Sequence, residues 1–204
     1  DHPVEEVATP EGFARNPDLV QRFYDERRAQ VQAALPNAAH LALGRLDREW
    51  PRGEAGELLI VTQNIDDLHE RGGAGRVLHM HGQALSVWCT ACDVRHRWTG
   101  TLRDGPPCLA CGAVALRPDF VWFGEMPYQM ARIYSAIARC DLFVSIGTSG
   151  AVYPAAGFVQ EAKRVRAHCL ELNLERSLGS TMFDATRLGL ASVLVPEWVS
   201  GVLD

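Results

Sequence analysis

The sequence predicts an α/β fold: a parallel sheet covered by helices on both faces and interrupted by a small metal-binding module. Three observations carry this. Four short apolar runs, residues 58–61, 142–146, 169–172 and 192–195, read as strands buried on both faces. Helical patterns separate the later runs, and strand–helix alternation argues a parallel sheet. Two Cys-x-x-Cys pairs fall within residues 83–122, a stretch with Gly105-Pro106-Pro107 that does not fit the alternation.

Composition bounds the rest. The chain has 204 residues, 47% of them apolar and 22% charged, in the range of an ordinary globular protein. The formal net charge is −5, which argues against a general nucleic-acid or anionic-membrane binder. No run approaches the ~18 apolar residues of a spanning helix. Six cysteines are too few for a disulfide scaffold. The chain begins at Asp1-His2-Pro3 with neither Met nor a secretory pattern, so the expectation is a stretch upstream and a cytoplasmic protein.

Residues 9–35 read as helical, with Asn16 as cap and Pro17 at the first helical position. Leu19, Val20, Phe23, Val31 and Leu35 give an imperfect apolar stripe, which Pro36 ends. A second helix opens near Asn37, and residues 51–57 form a loop. Helices are expected over 128–139 and 154–167, and another over 179–188 with Ser180 as cap.

Cys89-x-x-Cys92 and Cys108-x-x-Cys111 stand fifteen residues apart, a zinc spacing. Four thiolates close a tetrahedron and leave no position for water, so the metal is structural. Redox dithiols or packed thiols are the blander alternative. Cys140 and Cys169, beside apolar runs, read as ordinary buried thiols.

Ligands of doubly wound sheets bind beyond the carboxyl ends of the strands. Three such ends carry small or polar residues: Thr62-Gln63-Asn64-Ile65-Asp66, Gly147-Thr148-Ser149-Gly150 and Asn173-Leu174-Glu175. Together they suggest a nucleotide crevice. His81 of His79-Met80-His81-Gly82 is a candidate general base; a structural or surface histidine is the alternative on spacing alone.

These residues resemble the sirtuins, NAD-dependent protein lysine deacylases. Gln63-Asn64-Ile65-Asp66, His81-Gly82, the paired cysteines, Phe123-Gly124-Glu125, Gly147-Thr148-Ser149 and Asn173-Leu174-Glu175 occur in that family's order, and the match extends from about residue 10 to residue 198. The chain is most similar to bacterial members of the desuccinylase-type class. The resemblance implies a Rossmann-like NAD-binding domain (50–82 and 123–204), an inserted zinc module (83–122), and a helical segment of the small domain (9–49). It further implies NAD as cosubstrate, one structural Zn2+ and acylated lysine peptides as partners, meeting NAD in a cleft between the domains, with no specific nucleic acid and no membrane.

Carried over by position, His81 is the general base. Gln63, Asn64, Ile65 and Asp66 shape the nicotinamide end; Gly147, Thr148 and Ser149 face phosphates and ribose; Asn173, Leu174, Glu175 and Ala191 line the adenosine end. Val121, Phe123, Gly124 and Glu125 bind peptide backbone, with Gly150-Ala151-Val152-Tyr153 opposite, as in strand addition. Tyr24 and Arg27, at i and i+3, match the Tyr-x-x-Arg pair that takes the carboxylate of a succinyl or malonyl chain. A surface Arg beside a half-buried Tyr is the alternative. Bacterial members also remove acetyl groups. The family's first strand and glycine-rich turn, Gly-Ala-Gly-x-Ser followed by Gly-Ile-Pro-x-Phe-Arg, have no counterpart in residues 1–204 and are expected upstream. Two rivals remain: ADP-ribosyl transfer from NAD, and a zinc-ribbon binding module whose flanks carry Arg95, His96, Arg97 and Arg103.

Overall fold

A computed structural model describes residues 3–51 and 56–204. The chain opens with helices α1 (Val4–Val7), α2 (Pro10–Arg15), α3 (Pro17–Ala33) and α4 (Ala38–Glu49). Strand β1 (Ile60–Thr62), helix α5 (Leu68–Arg71) and strand β2 (Val77–His79) follow. The cysteine-bearing stretch holds β3 (Gly82–Cys89), β4 (Arg95–Arg97) and β5 (Leu116–Phe120). Next come α6 (Met130–Ile137), β6 (Leu142–Ile146), α7 (Phe158–Arg164), β7 (His168–Asn173), β8 (Ala185–Leu188) and α8 (Ala191–Leu203). No helix among the described residues is long and apolar enough to cross a membrane.

Local chemistry sets the helix starts. The Asn16 side chain accepts the Leu19 N–H at 3.1 Å, and Pro17 fills the first position of α3. Asn37 accepts the Ala39 and His40 N–H groups while His40 Nδ1 accepts the Asn37 N–H, a reciprocal cap on α4.

The chain divides into two compact units. The first comprises Asp1–Leu35, Val61–Leu68 and Leu78–Tyr128. Its antiparallel sheet has the order β4-β3-β5, with a register irregularity between Gly82 and Val87. Val20, Tyr24, Ala84, Phe120 and Trp122 form one core, and Val87, Cys89, Leu102, Cys108 and Leu116 a second beneath the cysteines. Leu35 is exposed and contributes nothing to the expected stripe. The stripe's buried positions are Val20, Tyr24 and Arg28.

The second unit comprises Pro36–Ile60, His69–Val77 and Gln129–Asp204. Its parallel sheet runs β6-β7-β8, with Leu142 opposite His168 and Asn173 opposite Leu188. Leu170 and Leu172 of the central strand bury against Leu43 and Leu46 of α4 and Leu194, Val195 and Val199 of α8. Cys169 and Glu171 alternate to the opposite face, and α7 packs on β6 and β7.

Three expectations are corrected. Residues 192–195 lie in helix α8, not a strand: Leu194, Val195 and Val199 recur at helical spacing and bury one face. Residues 179–188 hold a single 3-10 turn (Ser180–Met182) and then strand β8, whose polar composition suits an edge. Strand β6 is half-buried or exposed along its length, and among the described residues it pairs with β7 alone. Part of the loop expected over 51–57, residues 52–55, lies outside the described residues.

Candidate functional site

The cysteine cluster is built from two equivalent turns. Asp93 N–H bonds to the Cys89 carbonyl at 2.9 Å, and Gly112 N–H to the Cys108 carbonyl at 2.8 Å. Both residues are left-handed, at φ 61° and 74°. Each turn thereby aims two thiols at one point. The Sγ pairs Cys89–Cys111 and Cys92–Cys108 are each 3.7 Å apart, and all four lie within 4.8 Å of one another. A tetrahedron with metal–sulfur arms of about 2.3 Å has edges of about 3.8 Å, so the donor set fits Zn2+. All four cysteines are free of disulfides. His96 Nε2 lies 3.2 Å from Cys108 Sγ, in the place of an outer hydrogen-bond partner.

His81 sits where β2 has ended and β3 begins. Gly82 is at φ 88°, and a Cβ there would stand 2.0 Å from the Asp119 carbonyl oxygen. Only glycine permits this approach, and it seats His81 against β5: Val121 N–H donates to the His81 carbonyl at 3.0 Å. Burial pushes the His81 pKa down from its ordinary value, opposed by a hydrogen bond to the Gln63 backbone. His79 is buried, its Nδ1 3.3 Å from the Asn64 carbonyl. Ala84 N–H bonds to the Ile65 carbonyl at 2.7 Å, and Asp66 caps Leu68 N–H at 3.1 Å. Gln63, Asn64 and Ile65 are thus brought beside residues 79–84.

The 121–125 segment is held from behind by Arg117. Its guanidinium bonds both carboxylate oxygens of Glu125 at 2.8 and 3.1 Å and stacks 3.5 Å from the Trp122 ring centroid. Glu125 also accepts the Trp122 N–H at 2.8 Å. Burial opposes its charge, but the Arg117 and Trp122 donors prevail and hold its pKa below the usual carboxylate range. Phe123 projects with 59% exposure, and Gly124 follows at φ 90° with open space around it.

Tyr24 and Arg27 occupy different surroundings. Tyr24 is buried, stacked 4.2 Å from Phe120, and accepts the Trp122 indole N–H at 2.9 Å. Burial pushes its pKa up to about 12, so it stays a phenol. Arg27 is exposed, its guanidinium 5.0 Å from the Phe23 ring centroid and bonded to Gln30 at 2.9 Å. Sequence reasoning missed the neighbouring Arg28, which is 1% exposed. It reaches Asp25 and the carbonyls of Ala84 and Gly100, joining α3 to the cysteine module. Its i+4, i+8 spacing from Tyr24 and Val20 is the signal that would have found it.

In the second unit the strand ends converge. Gly147 N–H bonds to the Leu172 carbonyl at 3.0 Å, and Asn173 donates its side-chain amide to the Thr148 carbonyl at 2.7 Å. Leu178 N–H bonds to the Ser149 carbonyl at 3.0 Å. Gly147 and Gly150 have φ of 61° and 67°, and no atom lies within 4 Å of a Cβ built on Gly147. The turn therefore has open space beside Gly147. Leu174 and Glu175 are exposed, and Ala191 opens helix α8. Ala151, Val152 and Tyr153 are exposed.

A family model described as "Sir2 family" matches residues 1–154. The chain is 52% identical over 205 residues to an NAD-dependent protein deacylase of Pasteurella multocida (strain Pm70), covering 99% of this chain and 86% of that protein. A crystal structure of a Sir2 homolog–NAD complex superposes with a TM-score of 0.88 at 34% identity, covering 97% of this chain and 77% of that one. The structure of Sir2Af2 bound to a myristoylated histone peptide gives 0.79 at 33% identity, covering 97% and 84%.

Proposed function

The chain belongs to the Sir2 family, and on that premise we propose that it is an NAD-dependent protein lysine deacylase acting on succinyl and malonyl groups and also on acetyl groups. The observation that carries the reading is the seat of His81. A half-buried imidazole is held by one hydrogen bond to Gln63, beside the 63–66 turn and the 121–125 segment, with its pKa lowered. A general base must be neutral at working pH and oriented, and this placement favours both.

Bound NAD supplies an electrophilic ribose carbon with nicotinamide as its leaving group. His81 takes the proton of a ribose hydroxyl on the ring nitrogen that Gln63 does not engage. Gln63, Asn64, Ile65 and Asp66 form the nicotinamide end. Gly147, Thr148 and Ser149 face phosphate and ribose, with the Gly147 N–H itself spent on the Leu172 carbonyl, and Asn173, Leu174, Glu175 and Ala191 form the adenosine end. Val121, Phe123, Gly124 and Glu125 hold the peptide by strand addition. One acyl-lysine, one NAD and one water give free lysine, nicotinamide and O-acyl-ADP-ribose. Cys89, Cys92, Cys108 and Cys111 hold one structural Zn2+, closed to water by its four ligands.

Arg27 and Tyr24 select the acyl chain. An exposed guanidinium meets the distal carboxylate, and a phenol kept protonated donates to it. Free thiols throughout suit a reducing cytoplasm. The test is nicotinamide release by the full-length protein: it should require both NAD and an acyl-lysine peptide. Release that is the same without peptide would remove the reading.

A further inference from the structure

Strand β7 buries a carboxylate that the chemistry above does not use. Glu171 is 1% exposed in the middle of the parallel sheet. Its oxygens accept the Ser177 N–H at 3.0 Å, the Ser180 hydroxyl at 2.5 Å and the Thr186 hydroxyl at 3.0 Å. All three donors are neutral, and Arg176 joins the network only through the Ser180 hydroxyl, at 3.3 Å. Burying a charge without a cationic partner is costly, and an apolar residue would fill a central strand at less cost. Burial alone would push the Glu171 pKa up; these donors outweigh it and hold the carboxylate ionised.

The donors come from three places: the loop after β7, the 3-10 turn and strand β8. That loop packs on the glycine turn after β6. Leu178 N–H bonds to the Ser149 carbonyl, and a Cβ on Gly150 would stand 3.2 Å from the Ser177 Cβ. Asn173, two residues beyond Glu171 on the same face, bonds to the Thr148 carbonyl. Thr148 and Gly150 of the turn and Ser177 and Gly179 of the loop line one hollow, which Ala155 and Val159 close from the side of α7. The carboxylate therefore fixes how closely the 174–180 loop approaches the Gly147–Gly150 turn.

We propose that Glu171 is a positioning residue for NAD: through Ser177, Ser180 and Thr186 it sets the 174–180 loop at the height at which the loop and the Gly147–Gly150 turn together receive the adenosine diphosphate portion. This rests on the reading that these two segments bind NAD. Glu171 touches no ligand; it acts through backbone and hydroxyl groups that it holds.

The test uses the full-length protein, with ADP-ribose as calorimetric probe and steady-state kinetics alongside. Glu171→Gln keeps the shape and removes the charge. It should weaken ADP-ribose and raise the KM for NAD about tenfold, the cost of a lost charge-assisted hydrogen bond. The peptide KM, and kcat at saturating NAD, should stay within about twofold, because the 121–125 segment and His81 are untouched. Thr186→Val removes one donor outside the loop and should act in the same direction by a few-fold; it decides the matter if Glu171→Gln does not fold. Variants that melt lower yet bind ADP-ribose like the wild type would overturn the proposal and reduce Glu171 to a brace of the sheet. Wild-type protein that does not bind ADP-ribose at all would instead overturn the NAD reading beneath it.

Discussion

Trp122 donates its indole N–H to the Tyr24 hydroxyl at 2.9 Å. One lone pair of the phenol is thereby spent on the protein, and its own O–H remains to be given. Arg27→Met should cut desuccinylation tenfold to a hundredfold, the cost of ~1.5–3 kcal/mol for a charge-assisted hydrogen bond, and leave deacetylation within a few-fold. Tyr24→Phe should do the same more weakly. It should also lower stability by about 1–3 kcal/mol, because the buried Trp122 donor loses its acceptor. Comparing kcat/KM on succinyl- and acetyl-lysine peptides checks this; equal losses on both would return the pair to a structural role.

His81→Ala should lower turnover at least ~100-fold with the fold intact, the usual worth of a placed general base. His79→Ala should matter much less, since His79 is engaged with the Asn64 carbonyl. The pH profile carries a sign. The base works neutral, and its neutral fraction falls as pH drops through its pKa. Burial lowers that pKa, so the acid limb of kcat/KM should lie below the ~6.5 of an unperturbed histidine. A limb above that value would contradict the buried seat.

Two glycines separate strain from collision. Gly82 and Gly112 both have positive φ, 88° and 74°. A Cβ on Gly112 meets nothing within 4 Å, whereas one on Gly82 meets the Asp119 carbonyl at 2.0 Å. Gly112→Ala should therefore cost about 1 kcal/mol of backbone strain. Gly82→Ala should cost several times that and take activity with it, because His81 must move. Denaturant midpoints and turnover on the two variants test the contrast.

The helix starts were readable because caps are local: Asn16-Pro17 and Asn37 satisfy N–H groups two or three residues away. The cysteine pairs were readable for the same reason, each knuckle being closed within five residues. The strand placed at 192–195 failed because Val193-Leu194-Val195 is apolar under either period, and only Trp198 and Val199 beyond it settle the helical one. Arg28 and Glu171 went unassigned for a different reason: spacing puts Arg28 on the buried stripe and the 169–172 run puts Glu171 in a buried strand, but neither pattern says what each bonds to. Each is a charged residue at a core position, and what makes it tolerable there comes from elsewhere: the Ala84 and Gly100 carbonyls for Arg28, Ser180 and Thr186 for Glu171.

Metal analysis should find one zinc per chain. Cys89→Ala or Cys108→Ala should lower the melting temperature sharply, because metal binding at a closed site is folding energy and both residues also line the core with Leu102 and Leu116. Cys140→Ala, outside the cluster, should leave the zinc content unchanged. Folded, active protein without zinc would refute the assignment.

The central claim is acyl transfer from protein lysine to the ADP-ribose of NAD. Mass spectrometry of a reaction with the full-length protein, NAD and a peptide carrying an isotopically labelled acyl group on lysine tests it most directly. Free lysine peptide, nicotinamide and O-acyl-ADP-ribose should appear in equal amounts, with the label on the ADP-ribose. Nicotinamide release with the label still on the peptide, and ADP-ribose attached to protein, would contradict it.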